Sequence, residues 1–143
     1  MSDEGALGIA PVRDGLFTTA DDGTPRLIGG LCATCHRYHF PVLTTCPYCS
    51  SEAVTEARLS GVGSLWGWTA VTTAPPGYRG EVPFGFGIVE LPEGLRVVTR
   101  LTEPAPDRLE RGQAMRLVIA PLHVDDEGRS VVTYAFAPVG DRP

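Results

Sequence analysis

The stretch Leu31-Cys32-Ala33-Thr34-Cys35-His36, followed by Cys46-Pro47-Tyr48-Cys49, decides the fold. Two residues separate the cysteines of each pair, and ten separate the pairs. Zinc takes four ligands in a tetrahedron, and thiolate is its preferred structural ligand. A Cys-x2-Cys turn lets two sulfurs reach one ion, and a short hairpin between two such turns completes the shell. Four sulfurs leave no position open for water. One structural zinc ion per chain, held by Cys32, Cys35, Cys46 and Cys49, is therefore expected.

The same letters admit other chemistry. Cys32-Ala33-Thr34-Cys35-His36 spells the c-type haem attachment motif. It would need export and a second axial ligand, and it would leave Cys46 and Cys49 idle. Cys46-Pro47-Tyr48-Cys49 looks like a glutaredoxin redox motif, but that chemistry wants a helix N-terminus in a thioredoxin-like fold, and no βαβ pattern surrounds it. Two disulfides suit an oxidising compartment. His36 and His39 are read as bystanders on the ribbon surface.

Working outward, residues 26–57 form the expected ribbon, with short strands at Arg26 to Leu31 and His39 to Leu43. Neither strand can bury much apolar surface, so the piece needs a staple. In zinc-finger peptides such a site supplies about 10–16 kcal/mol of apparent binding energy, ample to order it. Residues 1–25 carry few apolar side chains and no helical period. They read as an extended arm or a partly disordered tail.

From residue 58 to residue 143 the pattern changes to strands and turns. Gly61 to Thr73 alternates, which places Val62, Ser64, Trp66, Trp68 and Ala70 on one face. Phe84 to Leu91 and Leu95 to Leu101 flank the tight turn Pro92-Glu93-Gly94. A helical turn is expected in Pro106 to Arg111. Ala114 to Val124 and Ser130 to Phe136 form a second hairpin across Asp125-Asp126-Glu127-Gly128. Five strands, with the helical turn between the third and fourth, fit a five-stranded OB-fold barrel; a small sandwich satisfies the same spacing. The fold class is mainly β, a zinc ribbon followed by a barrel.

Composition excludes several classes. The 143 residues include 17 glycines and 13 prolines, which argues for turns over long helices. All 12 basic residues are arginine, against 17 acidic residues, for a formal net charge of -5. A strongly basic nucleic-acid binder is excluded. No run approaches the ~18 apolar residues of a membrane span. The acidic start Met1-Ser2-Asp3-Glu4 is followed by no apolar signal region, so a cytoplasmic location is expected.

Candidate binding residues lie on the barrel. Trp66, Trp68, Tyr78, Phe84 and Phe86 cluster within 21 residues. They read as core packing, or as stacking platforms for bases on an OB-fold. The loop Thr73 to Pro83 is long for a hairpin, stiffened by Pro75 and Pro76, with Tyr78 and Arg79 expected at its tip. Arg96 and Arg100 share one strand face, either as a solvated face or as a cradle for an anion. Catalytic patterns are missing: the cysteines are committed to metal, His123 stands alone near a turn, and no serine sits in a nucleophile elbow.

The runs Leu31 to Cys35, Phe40-Pro41 and Cys46 to Cys49 resemble a known family. The likeness continues through Gly61-Val62-Gly63, Trp66 to Val71, Ala74 to Tyr78, Val82-Pro83-Phe84 and Glu90 to Gly94. Its members join a rubredoxin-like zinc ribbon to an OB-fold and are described as acyl-CoA-associated. The resemblance implies an accessory subunit of a thiolase-like or lipid-transfer-protein-like enzyme, in steroid side-chain or aromatic-acid degradation. The large partner would carry the thiolase or aldolase chemistry, and the small subunit would help form the complex and an acyl-CoA channel. Trp66, Trp68, Pro76, Tyr78, Arg79, Phe84, Arg96 and Arg100 are the candidates to face acyl-CoA or the partner. Two departures stand out: an arm replaces the helical segment that many members carry before the ribbon, and His36 and Ser50 replace the glycine common after each knuckle. The alternatives are a single-stranded nucleic-acid-binding module and a stand-alone acyl-CoA carrier or hydrolase.

Overall fold

Alternating β-branched stretches punctuated by Gly, Pro and Asp leave few helix-forming runs, and the computed structural model is built almost wholly of strands. It describes residues 9–11, 15–19, 23–78 and 81–139. In chain order the strands are β1 (Ile9–Pro11), β2 (Phe17–Thr19), β3 (Pro25–Cys32), β4 (Tyr38–His39), β5 (Val54–Arg58), β6 (Val62–Val71), β7 (Phe84–Glu90), β8 (Arg96–Leu101), β9 (Ala114–Val124) and β10 (Ser130–Pro138). A 3-10 turn, Pro106–Arg108, lies between β8 and β9, where the helical turn is expected.

The ribbon is organised around β3. It pairs antiparallel with β5 from Ile28–Arg58 to Cys32–Val54, and with β4 at Gly30–His39 and Leu31–Tyr38. The strand expected over His39 to Leu43 ends at His39, because Pro41 offers no N–H to a ladder. β5 was not anticipated: Val54-Thr55-Glu56-Ala57-Arg58 is polar and half-exposed, an edge strand with little hydrophobic signal. Within the arm, β2 pairs antiparallel with β3, and β1 pairs parallel with Ser130 to Val132 of β10.

The pairing of the last five strands resolves the choice between barrel and sandwich. β6–β7, β7–β8, β6–β9 and β9–β10 are antiparallel. β8 and β10 then pair parallel at Arg100–Ala135 and Leu101–Phe136, which closes the ring. A closed ring leaves no free sheet edge inside the barrel wall.

One irregularity changes which side chains point inward. In the β6–β7 register Leu65 faces Val89 and Gly67 faces Ile88, so Trp66 is the extra residue of a bulge. A bulge resets the two-residue alternation. Trp66 therefore points outward, 37% exposed, while Trp68 packs against the core. This corrects the expectation that Val62, Ser64, Trp66, Trp68 and Ala70 share one face.

The core is one continuous cluster. Leu65, Val89, Val97, Met115, Leu117 and Phe136 fill the barrel, and Leu27 and Leu59 carry the cluster into the ribbon. Each such side chain contributes about 1.5–3 kcal/mol by leaving water. Gly85 and Gly87 face inward on β7 because a Cβ there would stand 2.3 Å from the Glu103 carbonyl and 2.5 Å from that of Gly67. The ribbon is fastened at two further points. Phe40 meets Tyr134 edge-on at 5.5 Å, and Glu93 accepts hydrogen bonds from Ser60. Among the described residues no helix is long and apolar enough to cross a membrane.

Candidate functional site

Each Cys-x2-Cys segment folds as a knuckle. The Cys32 carbonyl accepts the His36 N–H at 2.9 Å, and the Cys46 carbonyl accepts the Ser50 N–H at 3.0 Å. The turn aims further N–H groups at the sulfurs: those of Thr34 and Cys35 at Cys32 Sγ (3.4 and 3.5 Å), and that of Tyr48 at Cys46 Sγ (3.4 Å). β3 delivers Cys32 and the chain entering β5 follows Cys49, so strand pairing brings the knuckles face to face.

The result fits a tetrahedral ion. Cys32 and Cys49 sulfurs lie 3.6 Å apart, Cys35 and Cys46 sulfurs 3.7 Å, and all four lie within 4.8 Å of one another. Zinc–sulfur bonds of about 2.3 Å in a tetrahedron require edges of about 3.8 Å. All four are free thiols. The Cys35 N–H, aided by that of Thr34, holds the Cys32 thiol down to about 6 against the effect of burial. Burial is the largest influence on Cys46, yet the N–H groups of Cys49 and Tyr48 bring its thiol below the ordinary value. Because both pairs converge on one point, neither the haem attachment nor the dithiol redox motif describes them. The residues fit one structural zinc ion.

The two residues after the knuckles explain a preference for glycine there. His36 has φ of 63° and Ser50 has φ of 67°, the left-handed region that side chains disfavour. His39, expected on the ribbon surface, is instead 3% exposed. It packs where Gly30 has no side chain: a Cβ there would meet its Nε2 at 2.4 Å. Nε2 accepts the Leu43 N–H at 3.1 Å and so orders the segment after β4.

The remaining candidates separate into two places. Arg96 and Arg100 do share the outer face of β8, with Val97, Thr99 and Leu101 inward. They form no common cradle, since four strand residues span about 13 Å. Arg96 lies over Trp66 at 4.3 Å, with Arg111 near the same indole at 5.4 Å. Arg96 also lines a cavity of about 430 Å³ between ribbon and barrel, with His39, Pro41, Tyr48 and Glu90. Trp68 is half-buried against the core, and its indole N–H donates to the Pro106 carbonyl at 2.9 Å.

The second place lies under the long loop. Pro76 stands exposed in a turn closed by the Tyr78 N–H donating to the Pro75 carbonyl at 3.0 Å. Tyr78, expected at the tip, folds back. Its hydroxyl donates to the Glu81 carbonyl at 2.8 Å, and its ring lies 5.1 Å from that of Phe84. Arg100 donates to the Tyr78 hydroxyl at 3.1 Å and lies over Phe84 at 4.1 Å. Arg79 lies outside the described residues. Ala120 and His123 of β9, and Thr102 just past β8, join this region, and nothing in the local sequence signals them.

Residues 23–55 match the model of the ChsH2 rubredoxin-like zinc ribbon domain, and residues 56–120 match that of the ChsH2 C-terminal OB-fold domain. A DUF35 domain-containing scaffold protein of Pyrococcus furiosus is 33% identical over 115 residues, covering 80% of this chain and 84% of the relative. The benzoylsuccinyl-CoA thiolase subunit BbsA of Thauera aromatica is 29% identical over 126 residues, covering 88% and 85%. Among solved structures, a chain of the Ltp2-ChsH2(DUF35) aldolase superimposes with a TM-score of 0.62 at 30% identity, covering 79% of this chain and 84% of that one.

Proposed function

Since the chain belongs to the ChsH2-type zinc-ribbon and OB-fold family of DUF35 proteins, we propose that it is a non-catalytic, zinc-stapled subunit of a thiolase-like or lipid-transfer-protein-like enzyme. The observation that carries this is the ribbon-then-barrel order, shared at 30% identity with a chain of the Ltp2-ChsH2(DUF35) aldolase. The partner would perform a thiolase or aldolase reaction on an acyl-CoA from lipid, steroid or aromatic degradation, in the cytoplasm. In this reading the arm spans 1–25, the ribbon 26–57 and the OB-fold 58–143. The zinc at Cys32, Cys35, Cys46 and Cys49 holds the ribbon rigid and takes no part in chemistry.

The exposed side chains support a docking role. Trp66, Phe86 and Val98 are large apolar groups on the outer barrel face, with Arg96 among them. Aromatic and arginine side chains are the residues protein interfaces favour. Trp66, Arg96 and Pro76 are assigned to the partner, and Tyr78, Phe84 and Arg100 to the acyl-CoA end of the channel. The nucleic-acid reading fares worse, because arginines already occupy the Trp66 ring and the net charge is -5. A stand-alone carrier or hydrolase would act without a partner. Co-expression with a thiolase-like protein encoded beside this chain tests the reading. A complex that survives size-exclusion supports it; two separate species, each unchanged by the other, would sink it.

A further inference from the structure

Arg26 and Arg116 are cations that neither the zinc site nor the docking face uses. They come from different halves of the molecule, Arg26 from β3 of the ribbon and Arg116 from β9 of the barrel. Both line one hollow of about 500 Å³ at the seam between the halves. No acidic residue lines it. Among the described residues neither arginine has an ion-pair partner, whereas Arg96, Arg108 and Arg129 each do. Two cations on one hollow without a counter-charge repel each other, in a chain whose net charge is -5. Guanidinium forks of this kind are suited to an oxyanion.

Backbone hydrogen bonds fix both sides of this hollow. On the barrel side Val62 pairs with Arg116, and the Leu117 N–H donates to the Gly61 carbonyl at 2.7 Å. On the ribbon side the Leu59 N–H donates to the Leu27 carbonyl at 3.0 Å. Gly61 makes room for the Arg26 guanidinium, since a Cβ there would stand 3.0 Å from Nη1. That Nη1 donates to the Pro25 carbonyl at 3.0 Å, which holds the half-buried side chain in place. The rest of its fork has no protein partner among the described residues. Arg116 is exposed on the opposite wall. Val62, 52% exposed, and Pro25 supply apolar surface beside the two cations.

We propose that this hollow binds a phosphate monoester of a small organic molecule, with the phosphate held between Arg26 and Arg116 and the organic body resting on Val62 and Pro25. Charge selects the monoester. Two guanidiniums match a group that carries about −1.5 to −2 at pH 7, whereas a carboxylate or a phosphodiester answers only one of them. Volume selects the organic body, because the hollow falls within the roughly 300–1,000 Å³ of small-molecule sites and exceeds what a bare phosphate fills. The site joins β3 to β6 and β9, so a bound ligand ties ribbon to barrel and stabilises the folded chain by mass action. None of this rests on the subunit reading.

The test titrates the full-length, zinc-loaded chain with adenosine 5′-monophosphate, glycerol 3-phosphate, inorganic phosphate and dimethyl phosphate, followed by amide NMR and thermal melting. Saturable shifts at Thr24, Arg26, Gly61, Val62, Arg116 and Leu117 are expected with a monoester, together with a rise in Tm. R26Q and R116Q should each weaken binding about tenfold or more. R108Q, an equal charge change at an exposed, ion-paired arginine, should leave it unaltered. V62E puts a carboxylate directly across from Arg116 and should abolish binding with both arginines kept, which keeps the test decisive if R26Q folds poorly. No histidine or carboxylate lines the hollow, so the ligand's own titration sets the pH profile. Going from about pH 7.5 to about pH 5.5 should weaken binding about fourfold, because a monoester gives up its second charge near pH 6. No saturable shift at these residues, unchanged affinity in both R26Q and V62E, or binding of dimethyl phosphate or inorganic phosphate as tight as the monoesters would overturn the proposal. Partner binding is scored separately by size-exclusion, so failure here leaves the subunit reading standing.

Discussion

Replacing Glu93 with alanine tests how the ribbon is locked to the barrel. Glu93 sits in the turn between β7 and β8, and Ser60 lies in the three-residue link between β5 and β6. Glu93 Oε2 accepts the Ser60 backbone N–H at 2.8 Å and its hydroxyl at 3.0 Å, while Oε1 is buried without a partner. Hydrogen bonds to a charged acceptor contribute about 1.5–3 kcal/mol each, and a buried unsatisfied oxygen costs about 1–3 kcal/mol. Glu93→Ala removes both bonds and that one cost, for a net loss of about 2 kcal/mol. For a chain of this size that corresponds to a fall in Tm of about 4–8 °C. Glu93→Gln keeps an oxygen for Ser60 but loses the charge, so about 1 kcal/mol is expected. In a double-mutant cycle with Ser60→Ala, a coupling of about 1 kcal/mol should report the hydroxyl bond alone. The assay is denaturant unfolding at fixed free zinc, followed by tryptophan fluorescence. A loss below about 0.5 kcal/mol with no coupling would refute the latch.

Other outcomes follow from the same geometry. Metal analysis should find one zinc per chain, and Cys32→Ser or strong chelation should lower the stability of the whole chain, because Leu27 and Leu59 join ribbon and barrel in one core; a barrel melting unchanged without metal would contradict this. His36→Gly and Ser50→Gly relieve left-handed strain of about 1–2 kcal/mol each, partly offset by the about 0.5–1 kcal/mol entropy of glycine, so thermal scans should show a small gain. Asp125 is held below its ordinary value of 3.8, first by the Arg129 backbone N–H and then by its side chain. A depressed carboxyl stabilises the fold above its unfolded value and loses that contribution as pH falls through its folded value, so Asp125→Asn should flatten the acid limb of the stability profile below about pH 4.

The legible parts of the molecule are those encoded locally. Four cysteines at fixed spacing specify the metal site, because each knuckle is a short turn whose geometry needs no distant residue. The strands β6 to β10 show in alternation and in the turns at Pro92-Glu93-Gly94 and Asp125 to Gly128. What escaped depends on residues far apart. The polar edge strand β5 exists because β3 offers it a ladder. The bulge at Trp66 follows from its register against β7, and it sends the two tryptophans to different sides. His39 is buried because Gly30 leaves room across the β3–β4 pair. The hollow at Arg100 gathers residues from the long loop and four strands, which no single run of sequence displays.

In the proposed role this chain completes a thiolase-like partner and leaves the chemistry to it. Native mass spectrometry of the chain co-expressed with a neighbouring thiolase-like enzyme, with turnover measured on the same sample, tests it most directly. A stable complex with one zinc per copy of this chain is expected, with turnover lost when this chain is withheld. A free monomer beside a fully active enzyme would contradict the claim.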